Sequence, residues 1–158
     1  MHKHFSKRDH AKYDEVARNI AKSFWSKLGW DIDDNPDEYG VDLIAQKGSK
    51  RVYVEVEVKR AWHGPTFQYD TMHLPMRKRK FLDKPTQFMI FNNSLTHAAV
   101  FGRKAIQNSP VSVVKNCKIP VGEKFFDIPV EDVTFVYTME HTWPKKYKTS
   151  LKKLASLN

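Results

Sequence analysis

Gly40-Val41-Asp42-Leu43-Ile44-Ala45-Gln46, the turn Lys47-Gly48-Ser49-Lys50, and Arg51-Val52-Tyr53-Val54-Glu55-Val56-Glu57-Val58-Lys59-Arg60 form the stretch that decides the fold. Val41 to Gln46 reads as a strand, and the Gly-Ser turn suits a hairpin. Arg51 to Arg60 is the clearest strand in the chain. Its side chains alternate, so Val52, Val54, Val56 and Val58 take one face while Tyr53, Glu55, Glu57 and Lys59 take the other. Glu57 and Lys59 then stand about 7 Å apart on one face. An antiparallel hairpin brings Asp42 to the same neighbourhood. Two carboxylates converge beside a lysine.

Upstream, Val16, Ile20, Phe24 and Leu28 recur every four residues and are joined by Ala17, Ala21 and Trp25. This periodicity predicts a helix over Tyr13 to Leu28, stopped by Gly29 and capped by Asp9 or Ser6. Residues 1–10 are basic, rich in histidine and without periodicity. Trp30 to Ile32 suggests a short strand before the acidic loop Asp33 to Gly40.

Downstream, Ala61 to Leu74 reads as irregular, with Gly64 and Pro65 as breakers, and Pro75 opens a strongly basic helix through Met76 to Leu82. Thr86 to Asn92 and His97 to Arg103 form a second hairpin through Asn93-Ser94-Leu95-Thr96. Lys104 to Gln107 is a helical turn. Val111 to Lys115, Phe125 to Ile128 and Val133 to Tyr137 are extended in character. The piece from Pro144 carries five lysines and no acid, as a short helix or a tail. The expectation is an α/β fold, a mixed central β-sheet flanked by helices, in one domain over 1–158 with basic arms at 1–10 and 144–158.

With 158 residues and 41% hydrophobic content, the chain can bury one ordinary core. Lysine and arginine total 27 against 18 acids, a formal charge of +9 that favours a polyanionic partner, either nucleic acid or an anionic membrane surface. No apolar run approaches the roughly 18 to 20 residues that span a bilayer, and Met1-His2-Lys3-His4 opens no signal region. A soluble, intracellular (cytoplasmic) protein is expected. Cys117 is the only cysteine, which excludes an intrachain disulfide and a thiolate zinc cluster.

A hard divalent cation such as Mg2+ binds through one or two carboxylates, with waters and phosphate oxygens completing its shell. Asp42 and Glu57 meet that need. Such an ion lowers the pKa of a water and neutralises phosphoryl charge, while Lys59 serves as a cation beside the attacking oxygen or as the base.

Gly40-Val41-Asp42-Leu43-Ile44-Ala45, a turn, and Val54-Glu55-Val56-Glu57-Val58-Lys59 together resemble the motif of the PD-(D/E)XK, or restriction-endonuclease-like, nuclease superfamily. The preceding helix, with Glu15 near its start and Gly29-Trp30 after it, resembles that family's first helix, so the likeness covers roughly residues 13–60. The resemblance implies that Asp42 and Glu57 bind Mg2+ (with Mn2+ as a substitute), that Lys59 assists the attacking water, and that Glu15 completes the catalytic set. Pro36-Asp37 spells the family's name literally but lies in a loop, so Asp42 is preferred. Glu55 is left open between a supporting acid and a solvent-facing charge.

Arg77-Lys78-Arg79-Lys80 is read as a run of phosphate contacts, or as a solvated helix face. His73, between the Lys59 strand and that run, is placed to touch a phosphate. Trp62, Phe67 and Tyr69 either stack on unpaired bases or pack under a long loop. The expected function is a Mg2+-dependent endonuclease hydrolysing phosphodiester bonds in DNA, as a monomer or a homodimer. The rivals are a structure-specific, Holliday-junction resolvase-like nuclease, a nuclease directed at RNA, and a non-catalytic nucleic-acid-binding protein on the same fold.

Overall fold

Helix α1 spans Lys7–Lys27 in a computed structural model that describes residues 7–115, 117–139 and 148–157. Ala17, Ala21, Phe24, Trp25 and Leu28 form its buried stripe, with Tyr13 and Ile20 along the edge. Val16, expected on that stripe, is 42% exposed. At about 100° of rotation per residue it falls beyond the stripe's edge. The helix also starts earlier than the apolar period shows, because Lys7 to Lys12 are polar apart from Ala11, compatible with helix yet without an apolar period of their own. Residues 7–10 of the expected basic arm are therefore helical, and the rest of it lies outside the described residues. Gly29 ends the helix at φ +90°, a left-handed position that glycine adopts without a Cβ penalty.

Among the described residues nine strands follow: β1 (Asp31–Asp34), β2 (Leu43–Lys47), β3 (Lys50–Val58), β4 (Thr71–Pro75), β5 (Thr86–Phe91), β6 (His97–Gly102), β7 (Val111–Val114), β8 (Glu123–Pro129) and β9 (Thr134–Tyr137). Six of them make the central sheet in the order β1-β2-β3-β5-β6-β9. It is mixed: β3 and β5 are parallel, whereas the other neighbours are antiparallel. The predicted hairpin is present, with Lys47 paired to Lys50 around Gly48-Ser49. Asp42 and Lys59, read as strand residues, lie one step outside β2 and β3. Their backbones still pair, since Asn35 N donates to Asp42 O at 2.9 Å and Lys59 N donates to Phe91 O at 2.8 Å.

Parallel pairing of β3 and β5 requires a long crossover, which residues 59–85 supply. The expected helix within it is a 3-10 helix, Met76–Asp83. The stretch read as irregular contains β4, whose Met72 and Leu74 are buried while His73 between them faces out. A five-residue strand beside Gly64-Pro65 carries too short an alternation to stand out. β4 joins β8 and β7 in a second, three-stranded sheet.

The central sheet thus has a core on each face. Val52, Val54, Leu43 and Ala45 pack with α1, whereas Phe88, Ile90 and Phe101 pack with Met72, Leu74, Ile128 and Trp62. Burial on both faces explains why β5 reads as an unbroken apolar run. The short helix α2 (Arg103–Gln107) contributes Ile106 to the second core.

Helix α3 (Lys148–Ala155) docks on the α1 side through Leu151 and Leu154. The part of the expected C-terminal arm over 148–155 is therefore a packed helix, and 144–147 lie outside the described residues. Lys47 ties this helix to α1. Its ammonium donates to Leu28 O at 3.0 Å and to Ala155 O at 2.7 Å, placing one cation at two helix C-termini, where the dipoles favour it. Among the described residues no helix is long and apolar enough to cross a membrane. A helix before a mixed sheet, with the Asp42 and Glu57 segments on neighbouring strands, is the architecture that the sequence resemblance implies.

Candidate active site

The valines of β3 are committed to the α1 core, so the pleat sends Tyr53, Glu55, Glu57 and Lys59 to the opposite face of the sheet. On β2, Leu43 and Ala45 share the α1 core, which puts Asp42 on the same face as Glu55 and Glu57. Asp42, Glu55 and Glu57 therefore stand on one side.

Register decides which acid Asp42 meets. Leu43 pairs with Val54, and one step further back sets Asp42 opposite Glu55. Glu57 lies on the diagonal from Asp42, where neighbours are typically about 7 to 8 Å apart between Cα atoms. The Asp42 carboxylate is also pinned to β3, its Oδ2 accepting the Val56 N–H at 2.9 Å. The structure thus makes Glu55, left open in the sequence reading, the direct neighbour of Asp42. Counting back from the Lys47/Lys50 closing pair of a two-residue hairpin was the available signal.

Glu55 is 7% exposed. Burial, followed by the negative charge of Asp42, pushes its carboxyl above the ordinary value of 4.5, while the Lys78 ammonium and the Asp42 backbone work in the opposite direction. Lys78 Nζ lies 2.5 Å from Glu55 Oε1. It comes from the 3-10 helix, whose three-residue period lays Lys78 and Phe81 on one side, with the ammonium 5.8 Å from the Phe81 ring. No feature of the sequence distinguished Lys78 from its basic neighbours.

Glu57 is half-buried, and its Oε2 is a buried atom with no hydrogen-bond partner among the described residues. A buried carboxylate oxygen left in this way is costly. Lys59 is half-buried one pleat further on and has no ion pair among the described residues. Glu15, exposed on α1, lines a cleft of about 420 Å³ together with Asp42, Asp34, Asp37 and Glu38. Glu57 and Lys59 are not part of that lining. Asp37 builds the loop instead, its Oδ1 accepting the Tyr39 N–H at 3.0 Å and its carbonyl accepting Gly40 N–H at 3.1 Å.

The basic run divides. Arg77 pairs with Glu123 at 3.2 Å, Lys78 turns inward, and Arg79 and Lys80 are exposed, Lys80 lying 4.9 Å from the Phe81 ring. His73 sits on the second sheet with Nδ1 2.6 Å from Asp127 Oδ1. Trp62 is buried and Phe67 packs on it and on Phe135, whereas Tyr69 is 59% exposed.

The donor set suits a hard cation. Two carboxylates repel each other at Asp42 and Glu55, and a third, Glu57, has an oxygen without a partner among the described residues. Among the described residues no group of three or more His, Cys, Asp or Glu side chains converges tightly enough to hold a metal. Mg2+ needs only one or two carboxylates.

No protein-family model and no curated protein matches the chain. Several solved structures resemble it, two nucleases among them. One is Archaeoglobus fulgidus Hjc, a Holliday junction resolvase from an archaeal hyperthermophile, at 9% identity and TM-score 0.47 over 73% of this chain and 84% of that one. The other is the bacterial homing endonuclease I-Ssp6803I, at 14% identity and TM-score 0.48 over 90% of this chain and 84% of that one.

Proposed function

We propose that this protein is a Mg2+-dependent endonuclease that hydrolyses phosphodiester bonds in DNA. One arrangement carries the reading: Glu55 and Glu57 lie on the face of β3 turned away from the α1 core, with Asp42 at the start of β2 opposite Glu55 and Lys59 just past the end of β3, in the hairpin whose sequence resembles the nuclease motif. The formal charge of +9 supplies attraction for a polyanion. Arg79 and Lys80, exposed on the 3-10 helix that also bears Lys78, are the groups best placed to meet backbone phosphates.

The residues divide the work as follows. Asp42 and Glu57, with Glu55 beside them, would hold a divalent cation, which when bound would supply Lewis acidity toward the phosphoryl group. The Val56 N–H fixes the Asp42 carboxylate, so this ligand is oriented before substrate arrives. Lys59 offers an ammonium beside the acids, where it orients the attacking water and offsets charge developing on the phosphate. Glu15, which lines the same cleft as Asp42, takes the place of an outlying acid.

Purified protein is expected to nick supercoiled plasmid in Mg2+ or Mn2+ and to stop when the metal is chelated. Full cleavage by Asp42→Ala and Lys59→Ala variants would refute the assignment. A binding module without cleavage is the second reading, and it has its own observation: Lys78 already neutralises Glu55. A binder of that kind retains DNA affinity in chelator and takes up no divalent ion at Asp42. A panel of linear, single-stranded, four-way and RNA substrates separates the substrate classes.

A further inference from the structure

Lys78 holds a carboxylate that stands beside Asp42 in the acid site. Glu55 stands directly opposite Asp42, buried, with its Oε1 2.5 Å from the Lys78 ammonium. A metal coordinated by that carboxylate lies about 2 Å from its oxygen, so an ammonium still held at the observed distance would face a double positive charge across a few ångströms of poorly solvated space. Two like charges that close repel strongly at the dielectric of a protein interior. The Lys78 side chain is 18% exposed, so solvent reaches it. It belongs to a single 3-10 helix in the crossover, and its neighbours Arg79 and Lys80 are exposed.

We propose that Glu55 is the metal-binding acid opposite Asp42, and that Lys78 is its resident counter-cation, released from Glu55 when the site loads Mg2+. This rests on the metal-dependent reading above. Without metal, Lys78 keeps a buried carboxylate paired. With metal, its ammonium is free on the same short helix as the exposed Arg79 and Lys80, available to a phosphate. Linkage makes the effect reciprocal: an anion that draws Lys78 away favours metal binding.

The test uses the full chain without DNA. Amine-acetylation footprinting read by mass spectrometry should find Lys78 protected in chelator and increasingly labelled as Mg2+ is added, with Lys80 labelled throughout. Calorimetric titration with Mn2+ should show Lys78→Met binding the ion at least about tenfold more tightly than the parent, as loss of a nearby positive charge requires. If Lys78→Met does not fold, Lys78→Gln keeps a hydrogen-bond donor for Glu55 without the charge and should show the same direction. Lys78 protection that is unchanged at saturating metal, or equal or weaker Mn2+ binding by the folded variant, overturns the proposal. Metal-dependent cleavage with Lys78 still protected overturns it while leaving the nuclease reading intact. Lys78 release by metal in a protein that cuts no nucleic acid refutes the nuclease reading alone, and a parent protein that binds no divalent ion refutes both.

Discussion

The carboxylate of Asp42 accepts the backbone N–H of Val56 at 2.9 Å. That bond fastens the end of one hairpin strand to the middle of the next, and it fixes an acid beside Glu55 before any ligand binds.

Asp42→Asn keeps an oxygen able to accept from Val56 but loses the charge. It should fold with the thermal midpoint nearly unchanged and lose metal-dependent plasmid nicking by at least about a hundredfold, the scale expected when a transition-state charge partner is removed. Asp42→Ala should lose activity to the same extent and also lower the midpoint, because the Val56 N–H loses its acceptor. Agarose-gel nicking rates alongside thermal melts check both.

Stability should vary with pH through Glu55. Its folded-state carboxyl is raised above the ordinary value of 4.5, so in the window between the two values the folded protein holds a proton that the unfolded chain has lost. Stability from this group is complete below 4.5 and falls as pH rises through the raised value. Glu55→Gln should flatten that part of the profile. Urea denaturation from pH 4 to pH 8, about the physiological and mildly acidic range, measures the slope in each protein.

Helix α3 should behave as part of the core. Leu154→Ala removes a side chain that is 1% exposed and should cost about 2 to 5 kcal/mol, the range for leucine truncation in a packed interior. Lys47→Met should cost about 2 kcal/mol by leaving the carbonyls of Leu28 and Ala155 without their charged donor. Denaturant midpoints at fixed slope give both values.

Much of this was legible in the sequence because it depends on short periods. Alternation over Val52 to Lys59 separated the core face from the acid face, and the Gly48-Ser49 turn placed the hairpin. Asp42 and Lys59 were assigned to strands although they lie one residue beyond them, since side-chain alternation does not show where a hydrogen-bonded ladder ends. The pairing of Asp42 with Glu55 was implicit in the closing pair Lys47/Lys50 and could have been counted. The inward turn of Lys78 could not. It depends on a 3-10 period in a run whose four basic residues look alike, and on an acid 23 positions earlier in the chain. β4 was hidden for a related reason: its partner β8 is distant in sequence, and five residues show little pattern of their own.

Phosphate contacts should follow the division of the basic run. Arg79→Ala and Lys80→Ala should each weaken DNA binding and reduce the log-log salt slope by about 0.9, the contribution of one neutralised phosphate on duplex DNA. Arg77→Ala should change it less, because Arg77 is held by Glu123 at 3.2 Å. Fluorescence anisotropy across a salt series in chelator reads these slopes without cleavage.

The shared acid site is tested most directly by diffraction from crystals soaked in Mn2+. The anomalous map should show an ion between the start of β2 and the middle of β3, within ligating distance of Asp42 and of Glu55 or Glu57. A map without that ion at saturating Mn2+, with Lys78 still on Glu55 and Asp42 bonded to Val56 alone, would contradict a metal-dependent active site here.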